Sequence, residues 1–187
     1  MRRKGIVAAL LGAAILMGLG ISAFAVAGGG KSEVSSDELT GYQESAPAAI
    51  SSGGTGQFHA TIDDDADEIT YEIRYSGLGT AATQSHIHFG SRYQNGGVSA
   101  FLCTNLGNGP AGTPACPAGT GTSEAVVTGT ITPAQIVGPA GQGIAAGEFD
   151  ELVQAIRAGV AYANVHTVQF APGEIRGQIN DNNQRQP

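Results

Sequence analysis

The chain of 187 residues has no tryptophan, little lysine or leucine, and no cluster of basic side chains beyond its first four positions. The missing basic patch removes the electrostatic footing on which nucleic-acid phosphates and anionic lipid headgroups are held. Sixteen acidic residues stand against nine basic ones, and three of the basic ones are Arg2, Arg3 and Lys4. Without those three, six basic residues face sixteen acidic ones, a net charge of −10. Nucleic acid is therefore not an expected partner. Internal repeats are also lacking. Ser85 and His86 are sequence neighbours that face opposite ways on a strand, so they do not propose a serine-hydrolase triad. The acidic run Asp63-Asp64-Asp65-Ala66-Asp67-Glu68 lacks the EF-hand spacing and its glycine, which makes it a solvated turn. No spacing proposes paired carboxylates for glycoside cleavage. No catalytic residue is assigned.

What is present begins with a leader. The charged Arg2, Arg3 and Lys4 precede an apolar run from Ile6 to about Ile21. Small residues follow at a signal-peptidase spacing, Ala23-Phe24-Ala25 and Ala25-Val26-Ala27, just before three glycines. Residues 1–27 are expected to be a signal peptide cut after Ala27. The alternative is an uncleaved N-terminal anchor, because the apolar stretch is close to the roughly 20 residues that span a bilayer. Either reading puts the rest of the chain outside the cytoplasm, secreted or held at the membrane only by that segment. Residues 28–36 read as a flexible linker and 180–187 as a polar tail. The folded domain is expected over 37–179, a length that can bury a core.

Within that span the hydrophobic period is mostly two. Phe58, Ala60 and Ile62 share one face of Gln57–Ile62, and Ile69, Tyr71, Ile73 and Tyr75 share one face of Glu68–Tyr75. The acidic turn between them makes the pair a hairpin. Further strands are expected at Ser85–Phe89, Val98–Leu102, Ser123–Ile131, Ala161–Thr167 and Glu174–Ile179. One helix is expected over Phe149–Ala158, where Phe149, Leu152, Val153 and Ile156 follow the helical period and Gly159 supplies a stop. Short strands with one helix in a connection predict an all-β antiparallel sandwich. Cys103 and Cys116 flank a loop of Gly, Pro and Asn. In an exported chain such a lone pair most simply forms a disulfide, and two free thiols or half a metal site are the other readings.

Chemistry rests with the histidines. An extended Ser85–Gly90 puts His86 and His88 on one face about 6.6 Å apart along the strand. His166 ends the alternation Tyr162, Asn164, His166, so it too is expected on a polar face of the sheet. Three neutral imidazoles suit copper or zinc with a fourth position available to water. The competing reading is structural, with the rings bonded to neighbouring loops and to Glu174 or Asn164. Whichever holds, the alternation predicts that the three histidines converge near strand ends. His59, on a separate strand, reads as a surface residue.

Three strings in order, Leu39-Thr40-Gly41-Tyr42-Gln43-Glu44, Ser85-His86-Ile87-His88-Phe89-Gly90, and Tyr162-Ala163-Asn164-Val165-His166-Thr167 with Pro172-Gly173-Glu174-Ile175-Arg176-Gly177-Gln178-Ile179, resemble the CHRD domain. That module is named for the animal protein chordin. Where the family usually has Ala before its first histidine, this chain has Ser85, which removes no candidate ligand. The resemblance implies a secreted, all-β, immunoglobulin-like module, with Asn164, Glu174 and Arg176 as motif residues. In chordin such modules belong to an extracellular protein that binds growth factors, so an extracellular protein or cell-envelope ligand is the implied partner. The His-x-His string is also similar to that of copper–zinc superoxide dismutase, although that enzyme's other histidines and zinc-site aspartate have no counterparts here. The expected function is an exported binding or structural module, and the alternative is a copper-binding redox protein using His86, His88 and His166.

Overall fold

The computed structural model describes residues 30–45 and 47–180. The leader read at 1–27 and all of the tail but Asn180 lie outside the described residues. Eight strands form in the order β1 (Lys31–Thr40), β2 (Thr55–Asp63), β3 (Glu68–Ser76), β4 (Ala82–Phe89), β5 (Gly97–Thr104), β6 (Ala125–Ile131), β7 (Ala161–Thr167) and β8 (Ile175–Ile179). The α-helix α1 (Phe149–Arg157) precedes β7.

All neighbouring strands are antiparallel, in the order β5-β4-β7-β8-β1-β2-β3-β6. The right-handed twist of strands curls a sheet this wide, and its two edges approach. Tyr71 on β3 donates its hydroxyl to the Leu102 carbonyl on β5 at 2.6 Å, and Ile136, just past β6, forms a bridge with Ala100 of β5. The result is a nearly closed, barrel-like sheet. The all-β antiparallel architecture with one short helix matches the sequence expectation. A division into two immunoglobulin-like sheets is not seen in the pairing, because the β1–β8 contact joins what would be separate layers.

That joint depends on a strand the sequence hid. Residues 31–36, expected to be part of a linker, are the first half of β1. Its apolar residues Val34 and Leu39 lie five apart, an odd spacing that would put them on opposite faces of a regular strand. A register shift between Ser36 and Leu39 restores them, with Ser36, to the buried side. Gly177 lets β1 come close: a Cβ there would collide with the Ser36 hydroxyl and the Glu38 carbonyl.

The β2–β3 hairpin forms as expected, with Asp63 Oδ1 accepting the N–H groups of Asp65 and Ala66 at the turn. The helix ends one residue earlier than expected. Asp150 and Glu151 occupy its first turn and Arg157 its last, the placement the helix dipole favours. It buries Phe149, Leu152, Val153 and Ile156 against the same core that receives Phe58, Ile62, Ile73 and Ile87. Every residue of β7 and β8 is buried, so these strands are covered on both faces.

Candidate metal centre

The double burial of β7 and β8 sets up a polar layer. Ile87, Ala163, Val165 and Ile175 feed the apolar core from one side of the sheet. The opposite side carries the alternate residues, and register lines them up across strands. His86 stands opposite Asn164 and Asn164 opposite Arg176; His88 stands opposite Tyr162 and Tyr162 opposite Gln178; Gln84 stands opposite His166. All of these except Gln84 are less than a tenth exposed.

The three predicted histidines meet in this layer. One ligand nitrogen from each of His86, His88 and His166 falls within 4.8 Å of the others. Their ring centroids are 5.4 Å (His86–His88), 4.8 Å (His86–His166) and 6.0 Å (His88–His166) apart. His86 Nδ1 and His166 Nε2 are 3.0 Å from each other. The rings also bond to loop backbone, as the structural reading required, with Asn164 beside His88, while Glu174 is not among their partners. His88 Nδ1 donates to the Gly96 carbonyl at 2.9 Å and His166 Nδ1 to the Ala171 carbonyl at 2.8 Å. Those bonds fix the tautomers. Nε2 carries the lone pair on both His88 and His166, so His86 must donate through Nδ1 to His166. The Nε2 atoms of His86 and His88 are then buried acceptors without a hydrogen-bond partner.

Burial keeps these rings neutral. It pushes His86 down to about 2, helped by His166 and His88 nearby. His88 falls to about 4 chiefly through burial, opposed by the Gly96 carbonyl and, more weakly, by the Asn164 side chain. Burial also lowers His166. Neutral imidazole is the form that binds metals. His86 Nδ1–H, 3.0 Å from His166 Nε2, is an outer hydrogen bond of the cluster, which leaves the Nε2 lone pairs of His86 and His88 free, and the Gly96 carbonyl on His88 is the kind of outer acceptor that metal-bound histidines use. The three histidines could hold a metal ion.

Arg176 and the loops close the layer. The Arg176 guanidinium lies 3.4 Å from the Tyr162 ring centroid, and Tyr162 stacks on His88 with centroids 4.8 Å apart and an interplanar angle of 1°. Arg176 donates to the Ser45 hydroxyl at 2.7 Å and to the Ser91 carbonyl at 2.8 Å. It thereby ties down the 90–96 loop that carries the Gly96 carbonyl. Phe101 meets His86 edge to face at 4.5 Å. The motif acid Glu174 turns away from the histidines and accepts the Gly79 N–H at 2.8 Å. Glu44, given no role from sequence, is buried beside Gly173, whose φ of 140° and missing Cβ make room for its carboxylate. Burial raises Glu44 to about 7, against the pull of Arg176. His59 is exposed, as expected, and lies in a groove with Glu33 and Glu72 away from the cluster.

Cys103 at the end of β5 and Cys116 are joined in a disulfide, with Cα atoms 5.1 Å apart. Disulfides of this kind persist in oxidising compartments. No helix among the described residues is long and apolar enough to cross a membrane. A family model described as the CHRD domain matches residues 35–179. No curated protein and no solved structure matches the chain.

Proposed function

The chain belongs to the CHRD domain family, and from that premise we propose an extracytoplasmic binding module without turnover chemistry, whose histidine cluster holds a transition-metal ion, copper in the first place. The leader at 1–27 and the Cys103–Cys116 disulfide support the compartment. The immunoglobulin-like character that the resemblance implies belongs to the same proposal, and an experimental structure would test it against the single-sheet strand order.

The observation that carries the metal reading is the pair of buried imidazole nitrogens without partners, facing a third imidazole. Each such acceptor costs about 1–3 kcal/mol when left unpaired. A cation shared among the rings removes that cost. Binding without turnover is better supported than the superoxide-dismutase-like alternative, because a small-molecule reaction needs a path to the ion and Phe101 and the loops cover the rings. The wider partner is an extracellular protein or cell-envelope ligand, to be sought by pull-down from the native envelope.

Metal analysis of tag-free exported protein tests the reading directly. One equivalent of copper, lost in His86→Ala, is the expected result. Protein that is metal-free as isolated and resists loading with copper or zinc would leave the module without its proposed ion.

A further inference from the structure

The buried acceptors without partners do not stop at the imidazoles. Asn164 is 2% exposed, and its Oδ1 is buried with no hydrogen-bond partner. Register sets it directly opposite His86, on the strand face it shares with His166 and Tyr162. Its side chain also lies beside His88. An amide oxygen buried without a donor is costly, and most buried polar atoms avoid that state. Here three such atoms, His86 Nε2, His88 Nε2 and Asn164 Oδ1, lie on one face of two paired strands.

All three offer lone pairs, so they repel an anion and suit a cation. Donor softness narrows the choice. The chain's two methionines, Met1 and Met17, lie in the leader, and both cysteines are in the disulfide. The folded domain thus has no thiolate or thioether, the soft donors that select Cu⁺. Imidazole nitrogens with one amide oxygen suit borderline divalent ions instead.

We propose that Asn164 Oδ1 joins His86 Nε2 and His88 Nε2 as a donor of this centre, so that its nitrogen and oxygen donors take Cu²⁺ or Zn²⁺ in preference to Cu⁺. This rests on the metal-binding reading above and adds a ligand and an ion class to it. The sequence motif then has a division of labour. The Asn164 side chain contacts the ion, its backbone carbonyl accepts the Ser85 hydroxyl at 2.6 Å, and Arg176 holds the covering loop.

The test uses the folded, disulfide-bonded protein. Competition titrations with Cu²⁺, Zn²⁺ and Cu⁺ compare the wild type with Asn164→Ala and Asn164→Asp. Asn164→Ala is expected to weaken Cu²⁺ and Zn²⁺ binding by about 10–100-fold, with the Cu²⁺ paramagnetic-resonance spectrum altered. Asn164→Asp should bind at least as tightly as the wild type. A measurement on the wild type alone guards against misfolded variants: one equivalent of Zn²⁺ should shift the side-chain amide signals of Asn164 in an amide-correlated NMR spectrum. If His86→Ala abolishes binding while Asn164→Ala leaves affinity and spectrum unchanged and the Asn164 signals stay put, the assignment of Asn164 as a donor is overturned and the metal reading stands. Tighter binding of Cu⁺ than of Cu²⁺ overturns the ion class. Absence of any histidine-dependent binding removes both.

Discussion

The β2–β3 hairpin and the β4–β7–β8 segment are built from the same antiparallel ladder, but water reaches the outer face of only the first. In the hairpin, buried Phe58, Ile62, Ile69 and Ile73 alternate with residues open to solvent such as Gln57, His59 and Thr70. Its outer charges are ordinary: Arg74 pairs with Glu72 and Glu124, each at 2.7 Å, in partly exposed bridges of the kind that add little stability. In β4–β7–β8 the outer face is roofed by loops, and histidine, asparagine, arginine and glutamine lie beneath the roof. Burying such groups is unfavourable unless each finds a partner. Polar side chains kept in spite of that cost, with lone pairs left over, set this layer apart from the hairpin, whose buried face is apolar.

The largest effect should come from the hairpin's core face. Phe58→Ala removes a fully buried ring and should cost about 3–5 kcal/mol in urea unfolding; a loss below about 1 kcal/mol would mean that this face is not the structural half. Next is the staple on the other side. Replacing Cys103 and Cys116 with serine frees the loop beyond β5, and in the chain-entropy model this should lower stability by about 3 kcal/mol. Thermal melts of oxidised and reduced protein would show it, and coincident melts would count against it.

Acid should separate the two regions more gently. His86 and His88 have folded pKa values well below the unfolded value of about 6.5. Between about pH 6.5 and 4.5 the unfolded chain binds protons that the folded chain refuses, so stability falls as pH falls. Glu44, raised to about 7, acts oppositely: its contribution is present at low pH and is lost as pH rises through 7. Two histidines against one glutamate leave a net loss on the order of 1.4 kcal/mol per pH unit on acidification, to which His166 adds. Glu44→Gln should steepen that slope, and a flat stability profile from pH 7 to 5 would contradict neutral buried imidazoles. The smallest effect is expected at His59. His59→Ala should change stability by no more than about 0.5 kcal/mol and leave metal binding untouched.

The convergence of the histidines was legible because a regular strand forces His86 and His88 onto one face and the alternation Tyr162, Asn164, His166 supplies its neighbour. The hairpin and helix were legible for the same reason, a clean period of 2.0 or 3.6. What escaped was whatever depends on the roof. Nothing in the spacing of Glu44 or Arg176 announces burial, since charged residues are mostly exposed and these two are enclosed by loops from elsewhere in the chain. The β1 strand escaped because its ladder is made by backbone groups and its one irregularity scrambles the apolar spacing. The single-sheet topology escaped with it, since only β1 connects β8 to β2.

That connection bears on how the molecule comes into being. β1 is paired on one side with β2, close in sequence, and on the other with β8, far along the chain; Thr40 faces Arg176, and the Ser35 carbonyl accepts the Asn180 N–H at 2.8 Å. Contacts between such distant segments carry a large loop-closure cost and slow folding to the range of milliseconds to seconds. The β2–β3 hairpin can form early from neighbouring segments, yet β1 keeps one bare edge until β8 is in place. For that interval the edge is a template for pairing with another chain. Assembly of the barrel and roofing of the histidine layer are thus tied to the arrival of β8 beside β1.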